Sequence, residues 1–212
     1  MRKLDRIGRV LCAVAALAIT AAAPLAQVGK SQGVMDINTM SESEIAALPN
    51  LTPAIAKALA AKRPFLSIVD LNTFLIGQGL TAEQAAAVYP KAFVHINLNT
   101  ATPEEIILVP GAGRRMVREF PEYRPWKTWA QFEREIGKYL GRGEVGAENA
   151  RKLAQYTFIP MNANTASDAD LMTVPGATAA WVTKFKAGRP YKTAADIAKV
   201  AGNAGARFFV VE

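Results

Sequence analysis

Cysteine and histidine are almost absent from this chain, since its 212 residues contain one of each, Cys12 and His95. Cys12 lies in an apolar N-terminal segment, so the rest of the chain has no thiol for a disulfide, a thiolate metal site or a covalent nucleophile. A lone histidine also leaves no nucleophile, base and orienting group that could act together. We therefore expect no enzymatic activity, no cofactor, no metal site and no small-molecule substrate, and we interpret His95 as a structural residue.

The chain also lacks a strong excess of charge of one sign. Its formal net charge is +7, but four of its basic residues lie within residues 1–26. The part from 96 to 160 has ten lysines or arginines against eight glutamates. This mildly basic balance is far from the strong positive field of an obligate nucleic-acid-binding protein.

Residues 1–26 have the pattern of a secretory signal peptide. A basic segment precedes an apolar, alanine-rich stretch over 10–23, which is short for a membrane span. We therefore expect an exported protein that is periplasmic or secreted. No cleavage site is well formed, because Pro24 would block a cut after Ala23, so an uncleaved N-terminal anchor is the alternative.

The remainder of the chain contains one block three times. Each copy has Asn-Thr, then a proline, then Arg-Pro followed by an aromatic residue, and the spacings are identical in all copies. The aligned residues are Asn38, Asn99 and Asn164; Pro49, Pro110 and Pro175; Arg63, Arg124 and Arg189; and Phe65, Trp126 and Tyr191. The chain is therefore interpreted as three units of roughly 60 residues, which we place at 34–95, 96–160 and 161–212.

Capping signals within each unit predict short helices joined by tight turns. The first helix of each unit is predicted to begin at Ser41, Thr102 and Ser167. Each of these residues has an acidic residue three positions later, which is the spacing of a capping box. The repeated proline ends this helix, and a four-residue turn leads to a second one. A third helix starts at Ser67, Thr128 and Thr193, and a second turn follows at Gly77-Gln78-Gly79 and Gly141-Arg142-Gly143. We expect an all-α fold with short extended junctions, in which the second turn of the third unit is truncated.

The first turn of the middle unit carries the most specific motif. It is the sequence Pro110-Gly111-Ala112-Gly113, followed by Arg114 and Arg115. A helix, a Pro-Gly-Ala-Gly turn and a second helix, with the leading Asn-Thr-Ala and the trailing Arg-Pro-aromatic, resemble the ComEA-type competence DNA-receptor family. The resemblance covers residues 35–211 and implies a fold of tandem helix-hairpin-helix repeats in three copies.

That resemblance implies a partner, double-stranded DNA. In the family, backbone amides of the glycine turn contact a phosphate at the start of the next helix, which the glycines allow to approach closely. Phosphate contacts carry no sequence information, so we expect non-specific binding, for example in DNA uptake. The residues that match are Gly111, Ala112, Gly113, Arg114, Arg115 and Arg118, with Gly141, Arg142 and Gly143 at the second turn.

The other two units depart from this pattern and leave an alternative open. Asn50 and Thr52 replace both glycines in the first unit, and Thr178 replaces the second glycine in the third. The unit is also similar to the extrinsic luminal subunit of photosystem II, in which the same fold docks on protein. The alternative is therefore an exported helix-hairpin-helix scaffold that mediates protein–protein interaction without binding DNA. Its first and third units would then contact the protein partner.

Overall fold

The computed structural model describes residues 34–211, and the predicted signal segment lies outside this range. Within it the chain forms eleven helices and six strands of two residues each. The expectation of a mostly α-helical chain is confirmed. The elements fall into three successive groups, here called the first, middle and third units.

The three units follow one order of elements, which has one helix fewer in the third unit. The first contains β1 (Met35–Asp36), α1 (Glu42–Ala46), α2 (Pro53–Lys62), α3 (Ile68–Gly77), α4 (Ala82–Ala86) and β2 (Ala92–Phe93). The middle unit contains β3 (Ile96–Asn97), α5 (Pro103–Ile107), α6 (Gly113–Glu122), α7 (Trp129–Leu140), α8 (Glu144–Ala154) and β4 (Thr157–Phe158). The third contains β5 (Met161–Asn162), α9 (Asp168–Leu171), α10 (Ala179–Ala187), α11 (Ala194–Ala206) and β6 (Phe209–Val210).

The third unit has a compressed version of the second turn. Its last helix, α11, is interrupted at Gly202, whose φ of 69° is not helical, and the chain then returns to helix as far as Ala206. The third unit thus replaces the separate third and fourth helices of the other two units with one broken helix.

A parallel strand pair closes each unit. Met35 pairs with Ala92, Ile96 with Thr157, and Met161 with Phe209. The sequence predicts extended junctions at these places but no particular partner, because two residues are too few to show an alternating pattern. A parallel pair needs a long crossover between its strands, and here the helices of the unit provide it.

The repeated asparagine and arginine connect the start of each unit to its middle. Asn164 Nδ2 donates to the carbonyl of Tyr191 at 3.0 Å, and the Tyr191 amide donates to Asn164 Oδ1 at 2.7 Å. Arg189 donates to the carbonyls of Ala163 and Ala166 at 2.8 and 2.7 Å. Equivalent contacts are made by Asn38, Asn99, Arg63 and Arg124. The repeat signature therefore has a structural explanation that needs no ligand.

The first and middle units share one hydrophobic core, whereas the third unit has its own. Trp126 is 1% exposed, and its Nε1 donates to the carbonyl of Phe120 at 2.9 Å. Trp129 is half-buried, and its ring contacts Phe132. Both tryptophans thus contribute to packing.

The third unit also contacts the first, so the units do not form an open string. Arg207 Nη1 donates to the carbonyl of Leu66 at 3.1 Å. His95 is buried near this contact, and its Nδ1 lies 3.4 Å from Oδ2 of the buried Asp36. Residues from the first and third units therefore meet around Asp36 and Arg207.

Candidate nucleic-acid interface

Side-chain caps distinguish the middle unit from the rest of the described chain. Nine of the eleven helices within residues 34–211 have a serine or threonine as N-cap residue, and its hydroxyl accepts a hydrogen bond from a backbone N–H of the first turn. The two exceptions are α6 and α8, whose N-cap residues Ala112 and Gly143 make no side-chain cap hydrogen bond. The first amides of these two helices thus lack the hydroxyl that satisfies their counterparts elsewhere.

Two glycines shape the first turn of the middle unit. Gly111 and Gly113 have φ values of 83° and 63°, which side-chain-bearing residues rarely adopt. A Cβ placed on Gly113 would meet no atom within 4 Å. Both glycines and Arg114 are exposed, while Ala112 is 5% exposed and anchors the turn. The start of α6 is therefore open to an approaching group.

A threonine occupies the position of Gly113 in the other two units. Thr52 accepts a hydrogen bond from the amide of Ile55 at 3.3 Å, and Thr178 accepts one from Trp181 at 3.1 Å. Asn50 adopts a φ of 63°, so the first unit retains a left-handed residue in this turn without glycine. These hydroxyls therefore satisfy helix-start amides whose counterparts in α6 have no side-chain partner.

The first turn of the third unit is exposed but lies beside the first unit. Gly176 lies against the first unit, where a Cβ built on it would be 3.3 Å from Cγ2 of Thr39. An open pocket of about 280 Å³ continues along this joint, between Pro64 and Trp181 among others. The turn is therefore part of a contact within the chain.

The second turn of the middle unit connects α7 to α8 and is fully exposed. Gly141, Arg142 and Gly143 form it, and Gly143 has a φ of 55°. Glu144 follows in the first turn of α8 and forms an ion pair with Arg151. A negative charge at this position interacts favourably with the helix dipole, so α8 has less need of an external anion than α6 has.

The first turn and the residue before the second turn border one groove. An open groove of about 410 Å³ is lined by Pro110 and Gly111 on one side and by Leu140, Asn149 and Lys152 on the other. Leu140 directly precedes the second turn, whereas Gly141 and Gly143 themselves line a separate groove beside α7. Lys152 is visible in the sequence as a basic residue on the helix after the second turn, whereas no motif points to Asn149.

Most basic side chains of the middle unit are engaged within the protein. The ion pairs join Arg115 and Arg118 to Glu119, Arg134 and Lys138 to Glu135, Arg151 to Glu133 and Glu144, and Lys152 to Glu148. Arg124 binds backbone carbonyls. Within the described part of this unit, only Arg114, Lys127 and Arg142 have charged groups without such a partner. Two of these three cations, Arg114 and Arg142, lie at the two turns.

Glu119 is a charged residue that the sequence analysis did not identify. Its side chain is 1% exposed, and Oε1 accepts a hydrogen bond from Arg118 Nη2 at 2.8 Å and lies 3.6 Å from Arg115 Nε. The hydrogen bond from Arg118 outweighs the effect of burial and lowers the pKa of Glu119. The i,i+4 spacing of Arg115 and Glu119 was visible in the sequence, but the burial of the carboxylate was not.

Neither a metal cluster nor a membrane-spanning helix is found in the range 34–211. No group of three or more His, Cys, Asp or Glu residues in this range could hold a metal ion. None of its helices combines the length and hydropathy needed to cross a bilayer. Searches against family models, curated proteins and solved structures found no match. The geometry of the middle unit is therefore the basis for a functional proposal.

Proposed function

We propose that this protein is exported and binds double-stranded DNA, without sequence specificity, through the two turns of its middle unit. The proposal treats the three units as tandem helix-hairpin-helix repeats of the ComEA type. The observation that carries it is the absence of side-chain caps at α6 and α8, and only there among the described helices. A phosphate oxygen can accept the amide hydrogen bonds that a cap would otherwise take.

The first turn is the stronger of the two contacts. The amides at the start of α6 are open above Gly113, and the dipole of this ten-residue helix favours an anion there. Arg114, exposed and without an ion pair in the described structure, adds a positive charge beside those amides. Contacts of this kind position a duplex without reading its bases.

The second turn supplies a weaker contact across the groove. Arg142 is exposed between Gly141 and Gly143, and Lys152 lines the groove from α8. With about two to four phosphates engaged, log K should fall with log salt at roughly −0.9 per phosphate. The protein should therefore bind weakly and be released by moderate salt.

The scaffold alternative is supported by the ion pairs. Most basic residues of the middle unit already have a carboxylate partner, which lowers the positive field that a duplex would meet. Exposed ion pairs of this kind contribute little energy, so they weaken the attraction without abolishing it. A scaffold that docks a protein partner is the function that remains if DNA does not bind.

A single substitution separates the two functions. Gly113→Thr gives the middle unit the Pro-Gly-Ala-Thr turn that the third unit already folds, where the threonine caps its helix. Thr178 adopts a φ of −126°, whereas Gly113 has a φ of 63°, so the turn of the variant must shift toward the geometry of the third unit, at a cost of about 1–3 kcal/mol of unfolding free energy. In the shifted turn the new hydroxyl occupies an amide, and the affinity for a random-sequence duplex should fall about tenfold. Arg114→Gln should also weaken binding, and the control Lys199→Gln, on an exposed residue of α11 in the third unit, should not.

Fluorescence anisotropy titrations at about 50 mM and about 200 mM salt, with thermal melts of each variant, provide the measurement. If the native protein shows no binding at low salt, DNA binding is refuted and the scaffold function takes its place. The same conclusion follows if a folded Gly113→Thr variant binds as tightly as the native protein.

A further inference from the structure

The buried carboxylate of Glu119 lies under two of the arginines that the sequence assigns to the DNA site. Arg118 is 75% exposed and Arg115 is 56% exposed, yet both direct guanidinium nitrogens toward Glu119 Oε1, whose side chain is 1% exposed. The two cations can therefore turn toward solvent, whereas the carboxylate cannot.

Arg115 is held from a second side. Its guanidinium carbon lies 4.3 Å from the centre of the Tyr139 ring, in the geometry of a cation–π contact. The Tyr139 hydroxyl is 2.6 Å from that of Tyr123, which fixes the ring on α7. Arg115 thus bridges α6 and α7 and is not a free surface side chain.

Moving these arginines to a phosphate would carry a cost. A buried charge without a compensating partner is strongly unfavourable, so Glu119 must keep at least part of its contact with Arg115 or Arg118. The lowered pKa of Glu119 keeps this carboxylate ionised at neutral pH. A phosphate near α6 therefore competes with an internal anion for the same two cations.

We infer that Glu119 is an internal counter-ion that limits the affinity of the middle unit for DNA by retaining Arg115 and Arg118. The inference rests on the proposed function and adds a residue that regulates the same site. The affinity of the native chain then comes from the α6 amides and Arg114, and removal of the Glu119 charge releases two further cations for the duplex.

Glu119→Gln tests this directly, because it removes the charge and keeps the shape. Its affinity for a random-sequence duplex should rise about fivefold to tenfold at about 50 mM salt, and the slope of log K against log salt should steepen by about 0.9 to 1.8. Glu122→Gln is the matched control, since it makes the same charge change on an exposed residue of α6. It should raise the affinity by less than about twofold.

The arginines provide a reciprocal test. In the native background, Arg115→Gln and Arg118→Gln should each lower the affinity by less than Arg114→Gln does, because Glu119 already holds the two side chains. In the Glu119→Gln background the same two substitutions should remove the gain. If Glu119→Gln does not fold, the inference is tested by comparing Arg115→Gln and Arg118→Gln with Arg114→Gln in the native protein. Losses at Arg115 or Arg118 as large as that at Arg114 would then overturn the inference.

The outcomes separate this inference from the proposed function. If the native protein binds and a folded Glu119→Gln binds no tighter, the inference fails and the proposed function stands. If only Glu119→Gln binds, the inference holds and the native chain is not a DNA-binding protein under those conditions. If neither binds, both are wrong.

Discussion

Asn99 and Trp126 exchange two hydrogen bonds through one side chain. Asn99 Nδ2 donates to the Trp126 carbonyl at 3.0 Å, and the Trp126 amide donates to Asn99 Oδ1 at 2.6 Å. The amide side chain thus acts as a short stretch of neighbouring backbone would. The Asn-Thr and Arg-Pro-aromatic parts of the repeat, separated in sequence, are two sides of one contact.

Loss of this contact should destabilise the middle unit. Asn99→Ala leaves the backbone N–H and C=O of the buried Trp126 without these partners, which should cost about 2–4 kcal/mol of unfolding free energy. Urea denaturation measures the change. Asn203→Ala, on an exposed residue of α11, is the control and should be nearly neutral. Equal stability of the two variants would refute the structural role of Asn99.

Val109 tests the alignment of the three units. It is 2% exposed, and the aligned Leu48 and Val174 are 8% and 3% exposed. Truncation of any of them to alanine should cost roughly 1–4 kcal/mol, because buried methyl groups are lost and a cavity remains. Ile107→Ala, two residues before Val109 but 45% exposed, should cost far less in the same thermal melt. A Val109→Ala variant that melts like the native protein would contradict the alignment.

Gly146 allows α7 and α8 to approach closely. A Cβ on Gly146 would lie 2.3 Å from the Gly137 carbonyl oxygen and 2.6 Å from that of Gly141. Gly146→Ala must therefore push the helices apart, at a cost of at least about 1–3 kcal/mol. Gly77→Ala adds a Cβ where no atom lies within 4 Å and should be tolerated. The midpoint of urea denaturation is measured for both variants. An unchanged midpoint for Gly146→Ala would contradict the close approach of α7 and α8 at this residue.

We expect low pH to destabilise the contact between the first and third units, because Asp36 is then protonated. Burial raises the pKa of Asp36, but the hydrogen bond with His95 and the charge of Arg207 lower it by more, so the net shift is downward. The folded-state pKa thus lies below the unfolded value near 3.9. Ionised Asp36 contributes stability that is present above about pH 4 and is lost as the pH falls through the folded pKa.

Asp36→Asn tests that pH dependence. The variant should be less stable than the native protein at neutral pH, and the difference should shrink in acid, because the native Asp36 is then protonated as well. Urea denaturation of both proteins between about pH 3 and pH 7 measures this difference in unfolding free energy. Asn203→Ala, on an exposed residue of α11, removes no titratable group and should show no such trend. A constant difference between Asp36→Asn and the native protein would contradict the shift.

Export is a prediction from residues 1–26, which lie outside the described structure. The basic segment and the apolar stretch after it predict a mature protein that begins near residues 23 to 28. N-terminal sequencing of the protein from the exported fraction checks this. A soluble cytoplasmic protein that retains Met1 would contradict it.

Local features of the sequence were sufficient for the helices and turns. Capping residues such as Thr102, prolines such as Pro110 and glycines such as Gly111 act on their nearest neighbours, so their effects can be predicted from short segments. The repeat spacing extended these predictions to three units. The open start of α6 was also visible as a glycine where the other units have threonine, although the capping role of those threonines was recognised only in the structure.

Contacts between distant segments were decided by the tertiary structure alone. The parallel strand pairs, the docking of Gly176 on Thr39 and the burial of Glu119 beneath Arg118 all depend on residues brought together by packing. No local pattern specifies such contacts, because the free energy that stabilises them comes from burial across the whole unit. The sequence by itself therefore determined which helix start has a glycine in place of a threonine, and the tertiary structure decided which of the neighbouring cations are already held by the protein.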